Sequence, residues 1–500
     1  MNAHLLVLEV VVPLMAAPLC MLLPSKPAAR MFSIAVAWIT LYLAWSILGA
    51  LGATEHGVIA YELGGFPPPF GIELRVDWAN AYLLLLVSGI AAVVLMFGPG
   101  SAGAAVAEGR HAFFYTAVLL ALAGLLGITV TGDAFNVFVF LEVSSLASYS
   151  LIGLGRGARA PMAAFSYLIM GTIGGTLFLL GVGLLYQMTG TLNMADLTTR
   201  LPDVLDTRTI VLALALLIVG VGIKLAVYPL HQWLPNAYSF APSVVSAFLA
   251  ATSTKVMYYV LVRIIFTIFG AAFVFETLHA DYLLLPLSLI AMFGGSLAAI
   301  YQHDLKRLLA YSSVAQVGYM MLGLTLASAT GLTAGLVHVF NHALMKGGLF
   351  LAVGCITAQV GSSAMGDLRG LGKRMPFTCA ALVVGGLALI GVPSTVGFVS
   401  KWYLVQAALE QDLLSVAALI LLSSLLAVVY VWRVVELCYF SEPDATQVEV
   451  TGRPPVREAP LGQLLPTWIL IGSTIIFGLT TDLTVGTASK AAAQLMGVGP

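Results

Sequence analysis

The sequence predicts an all-α polytopic membrane protein with about fourteen transmembrane helices. Hydrophobic residues make up 60% of the 500 residues and charged residues only 9%, whereas soluble domains carry about 25% charged residues. The mean hydropathy of +0.99 excludes an ordinary soluble protein. The net charge is -1, without any block of Lys or Arg, so no nucleic-acid partner is predicted. Partners are expected within the membrane, as other membrane proteins and lipids.

The apolar residues are gathered into runs long enough to cross a bilayer as a helix, which takes about 20 residues. These runs begin near residues 5, 31, 77, 111, 133, 161, 209, 240, 281, 307, 331, 375, 412 and 463. The cysteines stand singly within such runs, without the close spacings of zinc or iron–sulfur sites. They are Cys20, Cys355, Cys379 and Cys438. We interpret them as packing residues and predict no metal site.

Lys and Arg are concentrated in alternate connections between the predicted spans. One set of connections holds Lys26, Arg30, Arg110, Arg156, Arg159, Lys306, Arg307, Arg369, Lys373, Arg374, Arg453 and Arg457, and the other holds only Arg75, Arg200 and Arg208. Because positive charge marks cytoplasmic connections, both termini are predicted to lie outside. The connection over residues 54–77 predicts an external hairpin, and residues 441–460 predict a cytoplasmic loop.

Several cationic residues nevertheless lie inside predicted spans. They are Lys224, Lys255, Arg263, Lys346, Lys401 and Arg433. The two arginines are near helix ends, where a long side chain can snorkel to the interface. A lysine at mid-membrane costs about 2.5 to 3.5 kcal/mol on insertion scales, so each buried lysine needs a partner or water.

Glu142 is the only acid deep in the fifth predicted span and is the natural counter-ion for one of the lysines. Static ion pairs that lock helices together are one interpretation. However, Glu142 and Glu9 are too few to neutralise four buried amines. Because burial disfavours the charged form of an amine, an excess of buried amines indicates groups that can give up and regain protons.

The stretch "HVFNHALMKGGLF" over residues 338–350 places His338, His342 and Lys346 four residues apart within one apolar run. This spacing puts all three side chains along one stripe of a helix. An imidazole accepts and donates a proton near neutral pH, so the stripe indicates either a proton relay or satisfied packing.

Two predicted spans combine a lysine with a proline break. "VGIKLAVYPLHQWLPNAYSFAP" holds Lys224 before Pro229, and "IGVPSTVGFVSKWYLV" holds Pro393 before Lys401. They are the seventh and twelfth spans, as expected for two inverted five-helix repeats over spans four to eight and nine to thirteen. Broken helices at matching positions of two repeats indicate an ion site.

The chain is therefore divided into four parts. Residues 1–110 are predicted to form three helices and the hairpin, residues 111–270 the first repeat, residues 281–440 the second repeat, and residues 441–500 the loop and the last span.

Three stretches in sequence order resemble one family. "YPLHQWLPNAYSFAPSVVSAFLAATSTK", "QHDLKRLLAYSSVAQVGYMMLG" and "HVFNHALMKGGLF" are similar to the antiporter-like subunits of respiratory complex I, membrane-bound hydrogenases and Mrp-type monovalent cation/proton antiporters. The resemblance spans roughly residues 70 to 435. It implies a proton-translocating subunit of a hetero-oligomeric complex in a bacterial or archaeal cell membrane. Such a chain would transport protons and monovalent cations, with sodium as the favoured cation. It would need no cofactor and would carry out no covalent chemistry of its own.

The resemblance also implies a role for each buried group. Glu142 and Lys224 would form the essential ion pair of the first half, Lys255 the middle relay, His338 the bridge, and Lys401 the terminal site. His342 and Lys346 are further relay candidates, with packing as the alternative. His231 is assigned to the cap of the broken helix, with a relay role as its alternative.

The family has branches, and three features favour the D subunit of the Mrp antiporters. The stretch "FNHALMK" is more similar to Mrp D or hydrogenase subunits than to the second subunit of complex I. Lys401 stands where the fourth-subunit type of complex I has Glu, and no long lateral helix follows the last predicted span. The alternative is a proton-pumping membrane-arm subunit of a complex I-like oxidoreductase or a hydrogenase. A lone transporter of an organic solute is disfavoured, because no cluster of residues predicts a solute-sized pocket at the membrane centre.

Overall fold

The computed structural model describes residues 3–97, 110–155, 157–442 and 456–497, and most of these residues are helical. Within them, thirteen helices are long and apolar enough to cross a membrane. The twelfth predicted span is present as two shorter helices on either side of a break. The prediction of about fourteen spans in an all-α membrane protein is thereby confirmed.

In chain order the helices are α1 (His4–Met21), α2 (Lys26–Leu51), α3 (Trp78–Met96), α4 (His111–Val130), α5 (Ala134–Gly153), α6 (Arg159–Thr189), α7 (Met194–Arg200), α8 (Arg208–Leu225), α9 (Trp233–Phe240), α10 (Ser243–Val262), α11 (Asp281–Ile300), α12 (Leu305–Thr325), α13 (Ala329–Val360), α14 (Leu371–Arg374), α15 (Pro376–Ile390), α16 (Val396–Leu409), α17 (Leu414–Val435), α18 (Leu461–Leu479) and α19 (Asp482–Leu495). The strands are β1 (Ile59–Glu62) and β2 (Glu73–Val76). Two helices continue as π-helix, α10 over Arg263–Phe269 and α17 over Glu436–Phe440.

The predicted hairpin is present, since β1 and β2 pair in antiparallel fashion. Near the N-terminus, the ring of His4 packs edge-on against Tyr61 of β1, with 5.3 Å between ring centroids. Near the C-terminus, Gln494 Nε2 donates a hydrogen bond to the Gly57 carbonyl, at 3.3 Å. Both ends of the described chain therefore lie beside the hairpin, as an even number of spans requires. We refer to this side as the hairpin end and to the other as the loop end.

Both predicted helix breaks are present. The first half of the seventh span, α8, ends at Leu225, and Ala226 follows with a left-handed φ of 61°. In the twelfth span α15 ends at Ile390, and Gly391 follows with φ 90°. A proline cannot donate a backbone hydrogen bond and interrupts a helix, and each break contains one. The C-terminal carbonyl groups of α8 and α15 are thus released inside the bundle.

Local features recur in the two predicted repeats at a constant spacing along the chain. Asp133 caps the N-terminus of α5 and Asp304 that of α12, each accepting a hydrogen bond from the backbone three residues on. Isolated β-bridges join Asp133 to Asn193 and Asp304 to Ala364. The next helices, α6 and α13, are both unusually long, with 31 and 32 residues. These parallels support two related five-helix units, and their inverted arrangement stays a prediction.

The prediction that Arg263 snorkels to the interface is wrong. Arg263 is only 8% exposed and pairs with Asp77, the N-cap residue of α3. Arg433 is also held by the protein, since its guanidinium donates to the carbonyls of Ile300 and Gln302 at the end of α11. The sequence places both arginines near helix ends but does not show which groups pack there.

Lys306, which the sequence assigns to a cytoplasmic connection, lies buried in the first turn of α12. Its Nζ donates to the Ala241 carbonyl between α9 and α10, at 3.0 Å. The C-terminal helix α19 follows the last span and is not among the predicted elements. Arg156, Arg453 and most of the predicted loop over 441–460 lie outside the described residues.

Candidate functional site

The predicted ion pair joins two helices, α5 and α8, of the first predicted repeat. Glu142 lies on α5 and Lys224 on the last turn of α8, with 3.4 Å between Oε1 and Nζ. Lys224 also donates to the hydroxyls of Ser145 and Tyr149, at 2.7 and 3.3 Å. The Lys224 side chain is 2% exposed and that of Glu142 is 26% exposed. The carboxylate therefore reaches the flank of this chain, while the amine is enclosed.

The sequence of α5 and α6 explains how this pair is accommodated. Glu142, Ser145 and Tyr149 follow one another at helical spacing and share one face of α5. Opposite them, α6 presents Gly175 and Gly171. A Cβ atom at Gly175 would lie 2.5 Å from the Glu142 carboxylate, and one at Gly171 would lie 1.9 Å from the Tyr149 hydroxyl. These glycines were missed by sequence reasoning, although their four-residue spacing in α6 could have indicated a close approach.

Lys255 lies buried at the centre of α10. Its Nζ donates to the Ala250 carbonyl and to the Thr254 hydroxyl. Within the described ranges, no carboxylate forms an ion pair with it. Its helix packs directly against α13, which carries His338, His342 and Lys346. The predicted middle position therefore lies beside the predicted stripe.

The stripe on α13 is fully buried. His338 Nδ1 lies 2.8 Å from the hydroxyl of Ser400 on α16, and the rings of His338 and His342 stack with centroids 6.1 Å apart. Among the described groups, His338 Nε2 and both ring nitrogens of His342 have no hydrogen-bond partner. Buried polar atoms of this kind are commonly satisfied by internal water. The stripe thus presents unpaired imidazole nitrogens inside the bundle, and its role as a relay stays a prediction.

Lys346 and His231 hold adjoining helices together. Lys346 is completely buried. Its amine donates to the Leu309 carbonyl, at 2.8 Å, and to the Ser312 hydroxyl, both on α12. It is therefore not exposed at the surface of this chain. His231 lies in the break of the seventh span, where its ring stacks on Tyr228 with centroids 5.0 Å apart and meets Tyr311 edge-on. These contacts fix the ring within the break, and the assignment of His231 to the cap stays a prediction.

Lys401 follows the second break and turns its amine back to the preceding half-helix. Its Nζ donates to the carbonyls of Leu389 and Ile390, the last residues of α15, at 3.0 and 2.9 Å. It also lies 4.8 Å from the centroid of the Tyr319 ring, in a cation–π contact. Lys401 follows Ser400, the partner of His338. The predicted bridge and terminal site are therefore neighbours.

The described structure thus contains the predicted excess of amines. Lys255, Lys346 and Lys401 are bonded to carbonyl and hydroxyl oxygens rather than to carboxylates. Lys224 lies on the last turn of α8, and Lys401 donates to the last turn of α15. The C-terminal end of a helix carries partial negative charge and favours a cation. The end of α8 therefore favours the ammonium form of Lys224, and the end of α15 favours that of Lys401.

A polytopic membrane protein with two interrupted spans and a row of buried amines is the class that this fold and site define. Residues 131–427 match the family described as NADH:quinone oxidoreductase/Mrp antiporter, TM. The N subunit of an NADH-quinone oxidoreductase from Desulforudis audaxviator is 44% identical over 498 residues, covering 96% of this chain and 97% of the relative. The chain belongs to this family.

Relatives of the other predicted branch match over a similar length. The D subunit of the Na+/H+ antiporter of Bacillus subtilis is 29% identical over 494 residues, covering 99% of this chain and 97% of the relative. The prediction favours the D subunit, and the more similar of these two relatives is named as the N subunit of an oxidoreductase. Both predicted branches therefore fit the comparisons.

Solved structures show the same fold in multi-subunit complexes. A chain of the Mrp complex from Dietzia matches with a TM-score of 0.88 and 27% identity, covering 99% of this chain and 97% of that chain. An archaeal membrane-bound sulfane sulfur reductase matches with a TM-score of 0.89 and 29% identity, covering 98% and 97%. Respiratory complex I from Thermus thermophilus matches with a TM-score of 0.73 and 26% identity, covering 97% and 99%.

Replacing Gly175 with Ala is expected to displace the Glu142 carboxylate and weaken its pairing with Lys224. The matched control is Gly183→Ala on the same helix, where an added Cβ meets nothing within 4 Å. Both changes raise helix propensity equally, so only the steric effect differs. Cation-dependent proton exchange in vesicles should fall by about tenfold in Gly175→Ala, equivalent to about 1.4 kcal/mol. Equal exchange in the two assembled variants would show that the carboxylate position is unimportant.

Proposed function

We propose that the chain is a proton-translocating subunit of a hetero-oligomeric membrane complex. The observation that carries this proposal is the series of titratable groups from the partly exposed Glu142 to the buried Lys224, Lys255, His338 and Lys401. It runs through both five-helix units and contains more amines than carboxylates. The relatives, an oxidoreductase N subunit and an antiporter D subunit, support the same general activity.

In the first unit, residues 111–270, protons are taken up at the Glu142–Lys224 pair. The carboxylate stabilises the ammonium of Lys224, and separation of the two favours release of its proton. Glu142 is the partner that can move, because it is partly exposed at the flank of the chain whereas Lys224 is enclosed. A neighbouring protein of the complex that packs on this flank would therefore control the pair.

In the middle of the path, Lys255 accepts the proton and passes it to α13. An amine without a carboxylate partner is easily kept neutral in a buried site, and the carbonyl and hydroxyl around Lys255 can accept hydrogen bonds from either form. His338 then bridges to the second unit, because one ring nitrogen faces Ser400 and the other is free to bind water. His342 extends this passage by one turn, and Lys346 braces α13 against α12.

In the second unit, residues 281–440, Lys401 is the terminal site. Its ammonium is stabilised by the carbonyl end of α15 and by the Tyr319 ring. These partners carry no full negative charge, so the amine can release its proton without leaving a buried carboxylate unpaired. Because Lys401 follows Ser400, the partner of His338, loss of its proton also removes a positive charge near the bridge.

The relatives support two settings for this activity. As the D subunit of an Mrp-type antiporter, the chain would exchange protons for a monovalent cation, with sodium as the favoured ion. As the N subunit of a complex I-like oxidoreductase or as its hydrogenase counterpart, it would pump protons, and the 44% identical relative favours this second candidate. Purification of the intact complex distinguishes the two settings, because only the redox complexes contain proteins with flavin and iron–sulfur groups.

Replacing Lys401 with Arg tests whether this position must release a proton. Arg keeps the positive charge but is never deprotonated in proteins. Proton movement across vesicles containing the assembled complex should therefore fail in Lys401→Arg nearly as fully as in Lys401→Ala. Full activity of the Arg variant would show that only a fixed charge is needed there.

Replacing His338 with Gln distinguishes a relay from packing. Gln can form hydrogen bonds but cannot be protonated near neutral pH, so turnover should fall much more than assembly does. His342→Gln should have a milder effect, because it lies about 6 Å along the helix from the bridge. Failure of His342→Gln with normal His338→Gln would move the bridge by one turn, and normal turnover in both would assign the stripe to packing.

The orientation of the chain in the cell membrane is also a proposal, with the hairpin end and both termini outside. Glu55 at the hairpin end and Lys373 at the loop end are exposed, and the native cysteines are buried and give little background. A membrane-impermeant thiol reagent should label Glu55→Cys but not Lys373→Cys in intact cells. Inverted vesicles should label Lys373→Cys but not Glu55→Cys. If intact cells label only Lys373→Cys and inverted vesicles only Glu55→Cys, the proposed orientation is wrong.

A further inference from the structure

Glu458 lies at the loop end, three residues before α18 begins, and its side chain reaches the first turn of α15, 80 residues earlier in the chain. Its Oε2 accepts hydrogen bonds from the backbone N–H groups of Phe377 and Thr378, at 2.7 and 3.3 Å. Its Oε1 accepts from the Thr378 hydroxyl, at 2.6 Å, and from the Ala459 N–H, at 2.9 Å. The relay described above does not include Glu458.

The first turn of α15 has a defined need for such an acceptor. The helix begins with Pro376, which has no N–H, and its N-cap residue Met375 has a thioether, which is only a weak acceptor. Cys379 is the first residue whose N–H bonds within the helix, to the Met375 carbonyl at 2.9 Å. The two N–H groups in between are those that Glu458 accepts. A carboxylate also favours the partial positive charge of a helix N-terminus, so Glu458 caps α15 from a distant segment.

The opposite end of the same helix forms the predicted terminal site. The last two carbonyls of α15 accept hydrogen bonds from the Lys401 amine. Little space surrounds this contact. A Cβ atom at Gly391 would lie 3.0 Å from Lys401 Cδ, and one at Gly397 would lie 1.8 Å from the Ala388 carbonyl oxygen. A shift of α15 along its axis would therefore change the contact with Lys401.

The two ends of α15 are joined by an uninterrupted helix. Its 15 residues span about 22 Å, and its proline stands at the first position, where a helix tolerates it. Such a helix moves as one body, so the position of its N-terminal turn sets the position of its C-terminal carbonyls. Glu458 and Lys401 thus bind the two ends of one rigid element.

We propose that Glu458 is a positioning residue for the terminal site. By capping α15 at the loop end, its carboxylate fixes where the carbonyl end of this half-helix meets the Lys401 amine. The segment that leads into the last span thereby takes part in proton release through α15. This proposal rests on the proposed function, because it takes Lys401 as the site that releases the proton.

The first test asks whether Glu458 holds the end of α15. Cys379 lies in the first turn and is fully buried, so it is a native probe of this end. In Glu458→Ala, N-ethylmaleimide should label Cys379 about fivefold faster than in wild type, which corresponds to about 1 kcal/mol for a lost cap. Cys20, fully buried in α1, is the reference in the same sample. Equal labelling of Cys379 in both proteins would overturn the capping role.

The second test asks whether this end matters at Lys401, using proton movement across vesicles with the assembled complex. In Glu458→Ala the alkaline limb of the pH profile should move to lower pH by up to about 0.7 unit, equivalent to about 1 kcal/mol. A displaced carbonyl end stabilises the Lys401 ammonium less. Among the groups around Lys401, His338 and Tyr319 also titrate, and both are the same in the compared proteins. A turnover that falls equally at every pH would indicate a role in folding alone and overturn the proposal.

Two further variants make both tests specific. Glu458→Gln keeps an acceptor oxygen and should give smaller changes than Glu458→Ala. It takes the place of Glu458→Ala if that variant does not assemble, and the same outcomes then decide. Glu436→Ala removes an exposed carboxylate at the loop end and should leave both measurements at their wild-type values. Equal changes in Glu436→Ala and Glu458→Ala would overturn the proposal.

The terminal site itself is judged by a different variant. Normal proton movement in Lys401→Ala would overturn the proposed role of Lys401, whatever Glu458→Ala shows. If Lys401→Ala fails and Glu458→Ala keeps the wild-type pH profile, the terminal site stands and the positioning role of Glu458 is wrong.

Discussion

The structure depends on two interruptions of transmembrane helices inside the bundle. Each interruption releases the C-terminal carbonyl groups of a half-helix, α8 or α15, at a depth where unsatisfied backbone groups cost several kcal/mol. Each break also has a lysine whose ammonium needs negative potential. The amine of Lys401 donates directly to the end of α15, and Lys224 lies on the last turn of α8. The break and the amine therefore stabilise one another.

The two breaks differ in what else surrounds the amine. Lys224 has a carboxylate partner that reaches the flank of the chain, and hydroxyls complete its hydrogen bonding. Lys401 has carbonyls and an aromatic ring. In the proposed mechanism, the site at Lys224 is switched by movement of its counter-ion. The site at Lys401 is the one that releases its proton. Between them, α10 packs against α13, which brings the helix of Lys255 and the histidine stripe together in the buried core.

Several other charged side chains are buried on every side and are therefore bonded to other parts of the chain. Arg263, Lys306 and Lys346 each bind a carbonyl, hydroxyl or carboxylate of a residue distant along the chain. Moving such a group would leave a buried charge unpaired, at a cost of several kcal/mol. These contacts give the helices fixed positions, against which Glu142 at the flank is comparatively free.

The spans, the two breaks and the row of titratable residues could be predicted from the sequence, because each is a local property. Apolar length defines a span, a proline interrupts it, and a charged residue within it stands out against hydrophobic neighbours. Pairing is different, since it depends on which helices pack together. The glycines of α6 that admit Glu142, the contact of Arg263 with Asp77, and the turn of Lys401 back to α15 join residues that are distant along the chain or separated by a break. Only the tertiary structure decided these three contacts, because the energy of a buried charge is set by the groups around it in space.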